Sequence, residues 1–178
     1  ENINKAGLSE VFKNGTLSIG FIGLSEMLDV IFDGKFWEDE KIYNAALNML
    51  SFMRGYTDRQ AEKYNLNFSL LATSGELISG RFVEIDRTKF NSDIFKKGFY
   101  TNSFHVEVDS KIPAWEKIEK EGKFHLYCNG GCITYIELNE APLGNPQGLD
   151  ELVEIAVKAG VHYLGFNYPK DVCAECGT

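Results

Sequence analysis

Three short stretches of this 178-residue chain combine residue types that do chemistry. The first, Thr73-Ser-Gly-Glu76, follows an apolar run and precedes a helical pattern. Where a strand gives way to a helix, the free first-turn N–H groups and the partial positive dipole favour an anion such as phosphate. The Thr73 and Ser74 hydroxyls add donors, and Gly75 leaves the backbone bare for close approach. The plainer reading is a helix cap, with Thr73 or Ser74 accepting from the first turn and Glu76 completing a capping box. Composition alone favours the cap.

The second stretch, Tyr100-Thr-Asn-Ser-Phe-His105, sets polar side chains inside what reads as a buried strand. Asn102, Ser103 and His105 must be satisfied if buried, so they either line a cavity or tie down neighbouring loops. The third, Cys173-Ala-Glu-Cys176-Gly, is half of a zinc knuckle, because tetrahedral zinc takes four ligands and this pair supplies two. Cys128 and Cys132 would complete it only across an x3 spacing that spans Gly130-Gly131. They read better as inert buried thiols, with the missing ligands beyond Thr178. His125 and His162 are isolated in sequence and read as satisfied or exposed rather than as ligands.

The elements that must position these residues follow from periodicity. Thr16–Leu24 reads as a buried strand or as a strand turning into a helix, and Ser25–Phe32 as a short helix stopped at Gly34. From Glu38 to Tyr64, apolar residues recur at Ile42, Ala45, Ala46, Met49, Leu50, Met53 and Tyr56, the spacing of a long amphipathic helix. Leu66–Ala72 is a strand and Leu77–Phe82 a helix; Phe99–Val108 is a third strand, and Pro113–Lys120 a helix with proline near N1. Gly130–Leu138 is a strand, Pro146–Ala159 a helix ended by Gly160, and Val161–Phe166 a fifth strand. Alternation of this kind predicts an α/β fold of five β-α units, with mainly parallel strands covered by helices. Ligands of such sheets collect at the carboxyl ends of the strands, which selects the Thr73–Glu76 turn first.

Composition narrows the function classes. With 18 Lys+Arg against 26 Asp+Glu the formal charge is −8, and no basic cluster is longer than Lys96-Lys97, so nucleic acid and anionic membranes are not expected partners. No apolar run approaches membrane-spanning length. The chain begins at Glu1 without a basic-then-apolar leader, which reads as an excised piece of a cytoplasmic protein.

Taken together, Gly15-Thr-Leu-Ser-Ile-Gly-Phe-Ile-Gly-Leu-Ser-Glu26, Asn65–Thr73, Ser79-Gly-Arg-Phe82, Tyr100–His105, Gly131-Cys-Ile-Thr-Tyr135 and Tyr163–Asn167 through the Cys173/Cys176 pair resemble the anaerobic, glycyl-radical ribonucleoside-triphosphate reductases. The resemblance covers nearly the whole chain from Gly15 onward. It implies the second half of a ten-stranded α/β barrel over residues 1–168, with the start of a zinc-ribbon-like segment at 169–178. It further implies reduction of ribonucleoside triphosphates by radical chemistry. By that likeness Thr73, Ser74 and Gly75 match the loop that binds substrate phosphates, although family members often have Pro and Ala where Ser74 and Gly75 stand. Tyr100, Asn102 and His105 match a strand facing the barrel interior, and Glu76 is a candidate proton-handling group if it points inward. Cys173 and Cys176 match the first pair of a four-cysteine zinc site. The radical-bearing glycine and the thiyl-forming cysteine match nothing in this chain, so the piece alone is expected to be inactive.

The partners so implied are an S-adenosylmethionine-dependent activating enzyme, a reductant (formate or a thiol protein) and a second copy of the intact enzyme. A stand-alone phosphate- or nucleotide-binding module and a zinc-stapled interaction domain are the alternatives.

Overall fold

The computed structural model describes residues 15–168. Its elements are β1 (Thr16–Phe21), α1 (Leu24–Phe32), α2 (Glu40–Tyr64), β2 (Asn67–Ala72), α3 (Glu76–Arg87), a 3-10 turn (Asp93–Lys97), α4 (Ala114–His125), β3 (Thr134–Glu137), α5 (Pro146–Ala159) and β4 (Leu164–Asn167). β1 pairs with β2 in parallel from Thr16↔Asn67 to Phe21↔Ala72. β3 pairs with β4 in parallel from Thr134↔Leu164 to Glu137↔Asn167. One parallel bridge, Leu71↔Gly131, joins the two pairs. There the Ala72 N–H donates to Gly131 O at 3.0 Å and the Gly130 N–H to Leu70 O at 2.8 Å. This approach requires a glycine, because a Cβ at residue 130 would lie 2.7 Å from Ser69 Oγ and 2.9 Å from Leu70 O. All four strands therefore point the same way, and helices make the crossovers that parallel pairing demands.

Local signals explain the long helices. Asp39 Oδ1 accepts from the Lys41 and Ile42 amides at 2.7 and 3.2 Å, which starts α2, and Asn65 ends it in the left-handed region at φ 50°. Asn145 caps α5 through the Gly148 amide, Pro146 opens it, and Gly160 closes it at φ +80°. The face of α2 carrying Ile42, Tyr43, Ala46 and Leu50 is buried in the main core. At the centre of that core the Phe124 ring lies 5.6 Å from Phe36, 5.4 Å from Tyr43 and 5.4 Å from Phe104. A smaller cluster around Ile118, Ile136 and Ala156 fills the space between α4, β3 and α5.

The structure corrects the expected strand at Phe99–Val108, which is an irregular loop. Thr101, Ser103, Phe104, Val106 and Glu107 are all buried, so no face alternates. The loop is held by what it caps: Thr101 O accepts from the Gly23 N–H at 2.8 Å and Ser103 O from the Leu24 N–H at 3.3 Å. These carbonyls satisfy amides at the start of α1, which has no side-chain cap. The described residues thus hold four strands rather than five. Boundaries also move: β1 ends at Phe21, Asp33, at φ 53°, ends α1 ahead of Gly34, α3 runs on to Arg87 and α4 to His125, and the regular parts of β3 and β4 begin only at Thr134 and Leu164.

The structure also corrects the burial expected of the first strand: β1 is exposed along most of its length, Leu17 and Ile19 included, because among the described residues it has a strand neighbour, β2, on one side only.

Candidate substrate-binding site

The carboxyl ends of β1 and β2 open on a groove of about 880 Å³. Its walls are largely apolar, including Met27 and Val30 of α1 and Ile78 and Phe82 of α3, and a few polar groups converge on it: Glu26, Thr73, Asp86, Ser92 and Tyr100. A concave apolar site with a few placed polar groups is the usual form of a small-molecule pocket.

The start of α3 lies between two lining residues, Thr73 and Ile78. Its N-cap is Gly75, and no side chain caps it. The capping-box reading of Thr73, Ser74 and Glu76 is therefore not what the fold adopts, and the first-turn amides keep their hydrogen-bonding capacity and positive end. Thr73 faces the groove, its N–H donating to Phe21 O at 3.3 Å and its hydroxyl to Leu71 O at 3.4 Å. Ser74 is exposed beside it. Gly75 has φ −92°, which any residue adopts, and a Cβ there would meet Ile22 Cγ2 at an ordinary 3.4 Å. Alanine at this position fits the geometry. Gly20 is different: a Cβ on it would collide with Thr73 Oγ1, so glycine there is what lets Thr73 seat.

Glu26 was not singled out from the sequence as a site residue, yet it is the most unusual group in the groove. It is 3% exposed. Its Oε1 accepts from the Thr101 amide at 2.9 Å and the Thr101 hydroxyl at 2.6 Å, whereas the buried Oε2 has no partner. A buried carboxylate oxygen without a donor costs free energy unless a ligand or water supplies one. Glu26 follows β1 at the turn into α1, the same topological place that Thr73–Glu76 occupies after β2. That correspondence is the sequence signal that could have found it.

The other sequence-derived candidates are spread more widely. Tyr100 lines the groove, its hydroxyl donating to Asp86 Oδ2 at 2.7 Å. Burial, together with the bond to Asp86, pushes its phenol up to about 12. Asn102 lies two residues on, its buried Oδ1 without a partner, like Glu26 Oε2. His105 does not line the groove; its Nδ1 lies 3.2 Å from Oε2 of the fully buried Glu121, whose Oε1 accepts from the Val106 amide at 2.9 Å. Glu76 is exposed and does not line the groove. Cys173 and Cys176 lie outside the described residues.

Behind the groove a charge network braces the loops. Lys35 Nζ bridges Asp29 at 2.7 Å and Glu107 at 3.0 Å, and Lys97 Nζ pairs with Glu107 at 2.6 Å and lies 3.5 Å from Glu26. Burial would raise the Glu107 pKa, but the bonds from Lys97 and Lys35 outweigh it and hold the carboxyl below its ordinary value.

The architecture is that of one part of a ribonucleotide-reductase barrel. The anaerobic ribonucleotide reductase from Thermotoga maritima with dATP bound in the specificity site superposes with a TM-score of 0.77 at 20% identity, over 94% of this chain and 28% of that one. A second solved anaerobic ribonucleotide reductase gives a TM-score of 0.73 at 19% identity, over 94% of this chain and 28% of the other. Residues 2–178 match the family model described as anaerobic ribonucleoside-triphosphate reductase, and the chain belongs to that family. It is 33% identical over 175 residues to the enzyme of that name from Escherichia coli K12, and 34% identical over 173 residues to that of Enterobacteria phage T4. These alignments cover 96% and 95% of this chain but 24% and 27% of the relatives, so the chain spans about a quarter of their length.

Proposed function

We propose that this chain is the portion of an anaerobic ribonucleoside-triphosphate reductase that seats the substrate's triphosphate and ribose. The observation that carries this reading is the uncapped amino terminus of α3, set between the groove-lining Thr73 and Ile78, beside a groove whose lining includes Glu26, whose Oε2 has no partner. Amides of Glu76 and Leu77 with the hydroxyls of Thr73 and Ser74 take phosphate oxygens, as helix termini do for anions. Glu26 Oε2 accepts from a sugar hydroxyl, and Asn102, adjacent to Thr101, steadies the same edge. Tyr100, tied to Asp86 and held protonated, fixes the groove wall.

The same reading assigns Cys173 and Cys176 to a zinc site completed by residues outside this chain, and keeps His105 as the residue that orders the loop through Glu121. In the whole enzyme a glycyl radical, generated by an S-adenosylmethionine-dependent activating partner, supplies the hydrogen-atom chemistry. Reducing equivalents come from formate or a thiol protein, and the intact enzyme works as a cytoplasmic homodimer. The share of this chain is binding and orientation.

Amide shifts of the ¹⁵N-labelled full chain titrated with a ribonucleoside triphosphate test the reading. Shifts concentrated at residues 73–78 and absent with the unphosphorylated nucleoside are expected, with weak binding by calorimetry. Unmoved residues in that turn would sink it, and tight binding by this chain alone would favour a self-sufficient nucleotide-binding module.

A further inference from the structure

The fold gathers three residues that sequence alone left apart. His125 ends α4, Cys132 precedes β3 and His162 precedes β4. We propose that His125, Cys132 and His162 form a Cys-His₂ site for a zinc-class divalent transition metal, at the amino ends of β3 and β4.

One ligand atom from each residue lies within 4.8 Å of the others, and Cys132 Sγ is 3.2 Å from His125 Nδ1. A tetrahedral ion bound at about 2.0 Å to nitrogen and about 2.3 Å to sulfur sets these donors roughly 3.3–3.5 Å apart. Cys132 Sγ and His125 Nδ1 already stand at nearly that separation. The His125 tautomer is also set for ligation. The His162 backbone N–H donates to His125 Nδ1 at 3.1 Å, which leaves that nitrogen bare and places the ring proton on Nε2. Nε2 in turn donates to the fully buried Thr134 hydroxyl at 2.9 Å. An outer partner on the second ring nitrogen is the usual companion of a metal-ligating histidine.

His125 is 1% exposed, so the fold holds its ring in one place. Two donors, the Cys132 thiol and the His162 amide, converge on a single Nδ1 lone pair. On binding, the ion takes that lone pair, the amide turns away and the thiol proton leaves as the thiolate forms. The balance is one proton released per ion. His162 is exposed, which provides a route in and leaves a fourth position for water. None of the three residues lines the groove, and the ion would staple α4, β3 and β4 rather than contact the substrate.

The test uses the full chain carrying Cys173→Ser and Cys176→Ser, which removes the other thiol pair, titrated anaerobically with Co²⁺. A thiolate-to-cobalt charge-transfer band saturating at one equivalent is expected, with release of one proton per ion. Cys132→Ser should abolish the band, and Thr134→Val should weaken cobalt binding by about 10–100-fold. Circular dichroism verifies that each variant is folded, and added zinc should raise the melting temperature only when Cys132 is present. Absence of the band at excess Co²⁺, or its persistence in folded Cys132→Ser, would overturn the proposal.

Discussion

The two strand pairs differ most at the edge where they are most comparable, their carboxyl ends. After β1 and β2 the chain leaves polar capacity unspent: an uncapped helix start and a buried carboxylate oxygen without a donor. After β3 the equivalent position is closed, because Glu137 is taken by Lys117 at 2.7 Å, and Lys117 also lies 4.0 Å from Glu121. Charge already paired within the protein offers a ligand little. Among the described residues, the buried polar side-chain atoms without a partner are Glu26 Oε2, on the β1–β2 side, and Asn102 Oδ1.

The most damaging change should show how tightly the halves are bound together. Phe124 of α4 packs on Phe36 and Tyr43 from the first half, and Phe124→Ala should cost about 3–5 kcal/mol in denaturant unfolding. A single transition that shifts as a whole is expected, whereas two separated transitions would show that the halves fold independently. Gly20→Ala should cost about 1–3 kcal/mol and erase the triphosphate-induced shifts at residues 73–78, because the new methyl displaces Thr73. The matching Gly75→Ala should leave both nearly intact, which would sharpen the distinction between a glycine required by contact and one that is not.

The charge network behind the groove predicts a pH dependence. The folded pKa of Glu107 lies below its ordinary value of 4.5, so the folded state binds this proton less readily than the unfolded one. The stabilisation is therefore complete above about pH 4.5 and is lost as pH falls below it through the depressed folded value. Melting temperatures between pH 6 and pH 3 should fall less steeply in Glu107→Gln than in the parent, starting from a lower value at pH 6. The smallest effect is local: Asp39→Ala should cost about 1 kcal/mol by removing the α2 cap, with no change in nucleotide-induced shifts.

Helices α2 and α5 were legible almost to the residue because their signals are local: a capping side chain, an apolar stripe and a left-handed terminator. The loop at 99–108 was not. Its burial comes from carbonyls that serve the amides of α1, a contact made across a long stretch of chain that no window of periodicity contains. The Thr73–Gly75 turn could be found from the strand-to-helix boundary alone, whereas its lack of a side-chain cap could only be seen in three dimensions. Glu26 was hidden for a related reason: a glutamate in the first turn of a helix looks like ordinary dipole compensation until its surroundings are known. His125, Cys132 and His162 looked unrelated because their proximity depends on β3 and β4 lying side by side.

The Thr73 hydroxyl occupies the volume that any side chain at position 20 would claim. Positions 20 and 73 are therefore not free to vary one at a time. A bulkier residue in the strand has to arrive together with a trimmed one in the loop, so tolerated diversity at this corner should come as matched pairs, and a Thr73→Ala change should partly rescue Gly20→Ala.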